Sequence, residues 1–428
     1  MMKLIFLIVL WPSLGMAEIQ NKLTLSDAIE HALKQSPTID TVNKNQAISG
    51  LAYKNAIYKL LPSLDLNAVN ALTNNIPITG TTALLTPNTS APWFGSLSLQ
   101  ITEDLYDNGA SLVHLSIADK KRDLAGLERS KARAKIALDI TVEFYHFSRL
   151  SALVEVKQRQ LEILEKQFNS LSSHYQEGLK PRLDYLRFKT QVQRAQIEKT
   201  TVIKSKELSE IALSKLIVDE AQFEPIVITK NKPILPEEPI KLENFYDYKI
   251  SLIQKKVNEQ DVSFIKRKYW PQAFLTAGAG YSNFDYLNGS SPFSPGNQLS
   301  YSLTLNIKYN VWDWGIRRRD IEIAECEQNI KNNDLNLNLL EVRSQIDGVM
   351  VNISKLKANY DLTEELLTNE EQNFRNIEIE YREGKLKYLD LTTGLSNLLA
   401  AREQFYGVYF EALKVLSQYR YYEGTLYE

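Results

Sequence analysis

The spacing of apolar residues switches between two periods along the chain. Tyr301, Leu303, Leu305, Ile307, Tyr309 and Val311 alternate with Ser302, Thr304, Asn306, Lys308 and Asn310. A period of two with one wholly polar side predicts a strand with a single apolar face. Leu97, Leu99 and Ile101 alternate likewise with Ser96, Ser98, Gln100 and Thr102, and Leu64, Leu66 and Ala68 with Ser63, Asp65 and Asn67. A weaker version places Leu275, Ala277, Ala279 and Tyr281 on one face. Elsewhere apolar residues recur at three- and four-residue steps. Phe147, Leu150, Val154, Leu161, Leu164 and Phe168 follow this rule with only Lys157 interrupting; Leu339, Val342, Ile346, Val349 and Ile353 follow it unbroken. The proline-free stretches 110–176 and 316–382 therefore predict two helices, each about 100 Å long at 1.5 Å per residue. Helices of that length need partners along their whole extent, which favours lateral packing of coiled-coil type over one rounded core. A first helix opens at Thr24-Leu-Ser-Asp-Ala with Ser26 as the expected cap, Pro37 breaks or restarts it, and helix ends before Pro62.

The pattern occurs twice. Tyr175-Gln-Glu-Gly-Leu-Lys-Pro-Arg-Leu-Asp184 aligns with Tyr381-Arg-Glu-Gly-Lys-Leu-Lys-Tyr-Leu-Asp390, and Leu105-Tyr-Asp-Asn-Gly109 with Val311-Trp-Asp-Trp-Gly315. Leu61-Pro62 and Trp270-Pro271 supply a third landmark in the same order. The expected organisation is a signal peptide over 1–17, a first repeat over 18–218, an extended connector over 219–243 and a second repeat over 244–428. Pro225, Pro233, Pro236 and Pro239 keep the connector from being helical. The fold class expected is mainly α with membrane β: a duplicated helix–strand–strand–long helix–helix unit.

A soluble sheet with one buried face would alternate in the same way. Two features favour a membrane. The strands are about ten residues long, enough to cross a bilayer obliquely, and Trp93, Phe94, Tyr106, Trp270, Tyr286, Trp312 and Trp314 stand at their ends, as aromatic girdles do. Four strands cannot close, since about eight are the practical minimum, and an open edge cannot face lipid. The chain must therefore oligomerise so that neighbours complete a ring with a polar lumen, whether as dimer, trimer or tetramer. Loops 73–92 and 285–298, rich in Pro, Gly, Asn, Ser and Thr, would be extracellular.

Composition narrows the function. Lys3, the apolar run Leu4–Leu14 and the small Ala17 read as a cleaved secretory signal. No cysteine follows that cut, which argues against a lipid anchor, and Cys326 alone can form no intrachain disulfide. No later apolar run reaches the roughly 18 residues of a transmembrane helix. A formal net charge of −2 leaves no basic excess for nucleic acid. His31, His114, His146 and His174 lack metal-ligand spacing, and no phosphate loop, nucleophile elbow or Cys-His arrangement occurs. The expectation is no catalysis, no metal and no cofactor.

Together the Leu23-Thr-Leu-Ser-Asp-Ala-Ile-Glu-His-Ala-Leu33 opening, the Leu61-Pro-Ser-Leu64 run into the first strand, the paired Asp-x-Gly exits and the paired Gly turns ending in Leu-Asp resemble the TolC-like outer-membrane efflux protein family. The resemblance covers essentially the whole mature chain. It implies a homotrimer whose chains share an outer-membrane β-barrel and a long periplasmic α-barrel. It also implies an exit duct for a tripartite efflux or type I secretion system, with a periplasmic adaptor (membrane fusion) protein and an inner-membrane transporter as partners. By the same resemblance Gly178, Leu179, Gly384 and Leu386 become adaptor-docking candidates at two hairpin tips. Asp390, Asp184 and Tyr381 become candidates for the pore constriction. Thr393 and Leu386 depart from the family's acidic and basic gate residues, so a closed-state lock would use other groups, such as Lys385 or Lys387. Trp93, Tyr106, Trp270, Trp312 and Trp314 are the interface aromatics. The alternative is a periplasmic helical adaptor or structural protein without a pore of its own.

Overall fold

The computed structural model describes residues 22–72, 93–178, 181–219, 221–228, 232–284 and 299–426. In chain order these form α1 (Leu25–Gln35), α2 (Pro37–Tyr58), β1 (Ser63–Leu72), β2 (Trp93–Tyr106), α3 (Ala110–Gln176) and α4 (Arg182–Ile217). A short 3-10 turn (Leu242–Asn244) then leads into α5 (Tyr246–Lys268), β3 (Gln272–Phe284), β4 (Leu299–Lys308), α6 (Ile316–Arg382) and α7 (Tyr388–Glu423). The duplication is visible in the lengths: α3 and α6 each have 67 residues, α4 and α7 each 36. The expected signal segment and the loops 73–92 and 285–298, with Tyr286, lie outside the described residues.

The cap of α1 is Thr24, not Ser26. Thr24 is extended, its hydroxyl accepts the Asp27 amide at 3.4 Å, and the Asp27 carboxylate accepts the Thr24 amide at 3.3 Å. An acid three residues on lets Thr24 satisfy two orphan amides reciprocally, whereas Ser26 lies inside the first turn. Pro37 begins α2, where its missing amide costs nothing.

Two units of contact emerge. One comprises the chain up to Ile39 with Arg133–Ile240 and Ile346–Glu428; the other comprises Asp40–Ala132 and Lys241–Gln345. The first is all helix and connector, and its interior is a series of small clusters. Phe144 and Phe147 pack edge-on against Phe223 with Leu213 and Ile217; Leu164, Phe188 and Val192 form another cluster, and Val349, Ile353, Ala412 and Val415 a third. Lys157, the one charge in its stripe, bonds Glu198 of α4 at 3.1 Å and Glu403 of α7. The connector packs on these helices. Leu23 and Phe223 form a parallel bridge, the Ile226 amide donates to Ser148 Oγ at 3.0 Å, and Leu235 is buried. Gly394 lets α7 approach α6, since a Cβ there would lie 2.7 Å from Ile377 Cδ1.

The second unit carries the sheet. Polar contacts join its helices, Arg129 to Gln46 at 3.2 Å, Gln260 to Ser116 at 2.9 Å, and Lys131 with Asp247. The sheet is an antiparallel meander in the order β1-β2-β3-β4, which leaves β1 and β4 as its edges.

Candidate functional site: sheet face and hairpin turns

The register of the sheet aligns side chains of like character. Leu66, Leu99, Ala279 and Tyr301 form one row across all four strands, and Leu64, Ile101, Ala277 and Leu303 the next. Between them Asp65, Gln100, Gly278 and Ser302 form a polar row, as do Ser63, Thr102, Thr276 and Thr304. A one-residue slip anywhere would mix the faces. The apolar rows are not covered by the rest of the chain: Leu66 is 67% exposed, Leu303 73% and Ile307 72%. Apolar area on this scale marks a surface that meets another apolar phase. No described helix is long and apolar enough to cross a membrane.

Both strand-to-helix exits are built alike. Asp107 accepts the amides of Gly109 and Ser111, and Asp313 those of Gly315 and Arg317. Each exit holds two successive left-handed residues, Asn108 with Gly109 and Trp314 with Gly315. At each, an arginine closes over the glycine and takes the preceding carbonyl: Arg267 Nη1 to Asn108 O at 2.8 Å, Arg319 Nη2 to Trp314 O at 2.9 Å. Burial pushes both aspartates up, but the amides they accept hold them below the usual carboxylate range. Asparagine tolerates the left-handed backbone, whereas tryptophan does so at a steric cost.

Of the five aromatics expected at the interface, all but Trp93 stand at the end of the sheet where these exits lie. Trp270, Trp312 and Trp314 are exposed, as is Tyr106, and the rings of Trp312 and Trp314 meet edge to face at 5.8 Å. Trp93 begins β2 opposite Leu72 in the backbone register. Sequence reasoning missed the arginines that support the exits; the run Arg317-Arg318-Arg319 directly after the aromatic turn was the available signal.

The hairpin turns join α3 to α4 and α6 to α7. Gly178 and Gly384 each take φ +75°, with open space where a side chain would begin. The Gly384 amide donates to Tyr381 O at 3.0 Å and the Lys385 amide to Glu380 O at 2.9 Å, a Schellman ending. Leu386 is half-buried, and Leu179 lies outside the described residues. Asp184 and Asp390 occupy the same position, third in α4 and in α7. Asp390 Oδ2 accepts the Lys387 amide at 3.0 Å. The residue equivalent to Lys387 is Pro181, which has no amide, and the Asp184 carboxylate takes no hydrogen-bond partner among the described residues. Within the chain no hydrogen bond joins Asp184 to Tyr381 among the described residues; Thr393 bonds back to Leu389 O at 2.8 Å.

The model of the family described as outer membrane efflux protein matches residues 28–217 and 256–409. No curated protein sequence matches the chain significantly. Among solved structures, the outer membrane protein VceC of Vibrio cholerae superposes with a TM-score of 0.79 at 20% identity, covering 94% of this chain and 96% of that one. The CmeC outer membrane channel of Campylobacter jejuni gives 0.80 at 14% identity, over 94% of this chain and 87% of its own. The open state of the MtrE outer membrane channel of Neisseria gonorrhoeae gives 0.76 at 16% identity, over 94% and 89%. These likenesses establish the fold, a helical barrel subunit joined to a strand-based barrel segment. With the family model matched across both repeats, the chain belongs to the outer membrane efflux protein family.

Proposed function

We propose that this chain is one protomer of a homotrimeric exit duct that carries substrates across the outer membrane for a tripartite efflux or type I secretion system. The observation that carries this reading is the sheet: β1, β2 and β4 leave their apolar rows exposed, and among the described residues β1 and β4 end it with unpaired edges. Unpaired edges cannot stand in lipid, so the edge of one chain must pair with the edge of the next. The polar rows then line a wet lumen. Export needs energy that such a passive duct lacks, and an inner-membrane transporter with its periplasmic adaptor would supply it.

The gate and docking assignments follow from the same picture. The hairpin turns are far in sequence from the membrane strands and end in exposed glycines, so Gly178, Leu179, Gly384 and Leu386 would receive the adaptor. Three copies of Asp390 around one axis would repel one another and attract cations, forming the constriction. Asp184, whose carboxylate has no local partner among the described residues, is free to bond Tyr381 of a neighbouring protomer and tie the hairpins shut.

The test is the mass and shape of the detergent-extracted protein, by light scattering with negative-stain imaging. Three chains in a particle longer than about 100 Å support the reading. A monomer that dissolves without detergent would overturn it.

A further inference from the structure

The two strand-to-helix exits share their backbone but not their charge. Around the first stand Glu103, Asp104 and Asp107, and the first turn of α3 continues with Ser111, Leu112 and Val113. At the equivalent places in α6 stand Arg317, Arg318 and Arg319. One of these has an architectural duty at both exits: Arg319 closes over Gly315 as Arg267 does over Gly109. The other two have no counterpart in the first repeat. Arg317 lies between the rings of Tyr309 and Tyr269, its Nη1 on Tyr309 Oη at 3.3 Å and its Nη2 on Asn310 O at 2.6 Å. Tyr309 is the first residue past the end of β4 at Lys308 and is exposed, so Arg317 is anchored just beyond the strand that carries Ile307 of the apolar row. The Arg318 side chain is 85% exposed, and its one partner among the described residues is Glu322, an exposed i,i+4 pair at 2.9 Å. Lys268, at the end of α5, is exposed as well, with no partner among the described residues.

The indoles belong to the same surface. Trp314 is 79% exposed on a left-handed backbone that the first repeat gives to asparagine. Among the described residues its ring meets only that of Trp312, itself 72% exposed. An indole kept outward at a steric cost, beside another indole and a run of arginines, suits a phase that is apolar on one side and anionic on the other. The free amides at the start of α6 are not the attraction, because Asp313 already takes those of Gly315 and Arg317.

We propose that the β4–α6 exit binds the headgroups of anionic phospholipids in the periplasmic leaflet. Arg318 meets the phosphate, with Arg317, held by Tyr309, Asn310 and Asp313, fixed beside it, and Trp312 and Trp314 lie against the glycerol and upper acyl chains. The acidic first exit does not bind them, so each chain carries one such site. The proposal rests on β4 crossing the outer membrane; the helices, too polar for lipid, put this exit on the periplasmic side.

The test uses the full-length channel in vesicles, with Trp11, Trp93 and Trp270 replaced by Phe so that, of the five tryptophans, Trp312 and Trp314 report. Quenching is compared between brominated phosphatidylglycerol and brominated phosphatidylcholine. Each basic residue near an anionic surface contributes roughly fivefold. The expected result is a preference for phosphatidylglycerol that falls by at least that factor in Arg318→Glu, which removes one positive charge and adds a negative one. It should stay unchanged in Arg382→Glu, a distant exposed arginine, and in millimolar inorganic phosphate. Equal quenching by both lipids, or an unchanged preference in Arg318→Glu, overturns the headgroup site while leaving the membrane reading intact. Competition by inorganic phosphate overturns it in favour of a free-anion site. Absence of quenching by either lipid shows instead that the exit is not at a membrane, and both readings fall together.

Discussion

Asp107 and Asp313 accept the same pair of backbone amides, two and four residues ahead, at 2.9 and 2.6 Å in the first case and 3.0 and 3.0 Å in the second. The duplicated Asp-x-Gly signature is thus a helix start: the carboxylate satisfies orphan amides that no earlier turn can reach.

Replacing Asp107 by Ala should lower stability by about 1 kcal/mol, read as a fall in the unfolding temperature in detergent. Both aspartates have folded values below the ordinary carboxylate range, so their contribution is full above about pH 4. It is lost as pH falls through the lower folded value. The gap between wild type and Asp107→Ala should therefore narrow in acid; a constant gap would mean the carboxylate is not the cause.

Lys157 joins three helices of one protomer through Glu198 and Glu403. Burial works to lower its ammonium value, but the two carboxylates outweigh it and raise it. This contribution is present below the ordinary lysine value and lost as pH rises through the higher folded one. A double-mutant cycle between Lys157→Ala and Glu403→Ala should show coupling of roughly 1 kcal/mol, above the usual surface pair. Coupling near zero would reduce the contact to a solvated pair.

The two hairpin aspartates should respond differently. Asp390→Ala removes the bond to the Lys387 amide and should cost about 0.5–1 kcal/mol of local stability, besides raising conductance or relieving cation block. Asp184→Ala, opposite a proline, should leave thermal stability unchanged while loosening the closed channel. Equal thermal losses with no change in conductance would remove both residues from the gate.

Gly394 sets the spacing of α6 and α7. Gly394→Val should cost about 1–3 kcal/mol by overpacking against Ile377 and Phe374, whereas Gly407→Ala, with open space, should be tolerated. Thermal unfolding of the two variants decides it.

Leu386→Glu places a charge at a hairpin turn without touching the sheet. Export should fall at least tenfold, a loss of about 1.4 kcal/mol of docking, while oligomer mass and membrane insertion stay normal. Full export would exclude this turn as the docking surface.

The long elements were legible because their signals are repeated many times. Helices 110–176 and 316–382 matched at both ends, since each runs from a glycine to a glycine without a proline. The strand faces followed from strict alternation. Local chemistry with several eligible residues was harder: Thr24 and Ser26 both suit a cap, and only the reciprocal Asp27 separates them. Lys157 looked like a flaw in an apolar stripe because its partners, Glu198 and Glu403, are remote in sequence. The strain at Trp314 was equally invisible, since a backbone angle is not written in a residue type. Asp184 and Asp390 aligned by motif, yet only geometry shows that one has a local duty and the other none among the described residues.

The unpaired edges of β1 and β4 carry a genetic corollary. In the proposed trimer, where each strand edge is completed by a sister chain, the finished ring and not the polypeptide would be the smallest unit that can rest in lipid. A chain with a broken β4 edge but a sound β1 edge would still recruit a healthy neighbour and then leave the ring unsealed. Such alleles should be dominant over wild type, whereas alleles that lose both edges should be silent in the same cell.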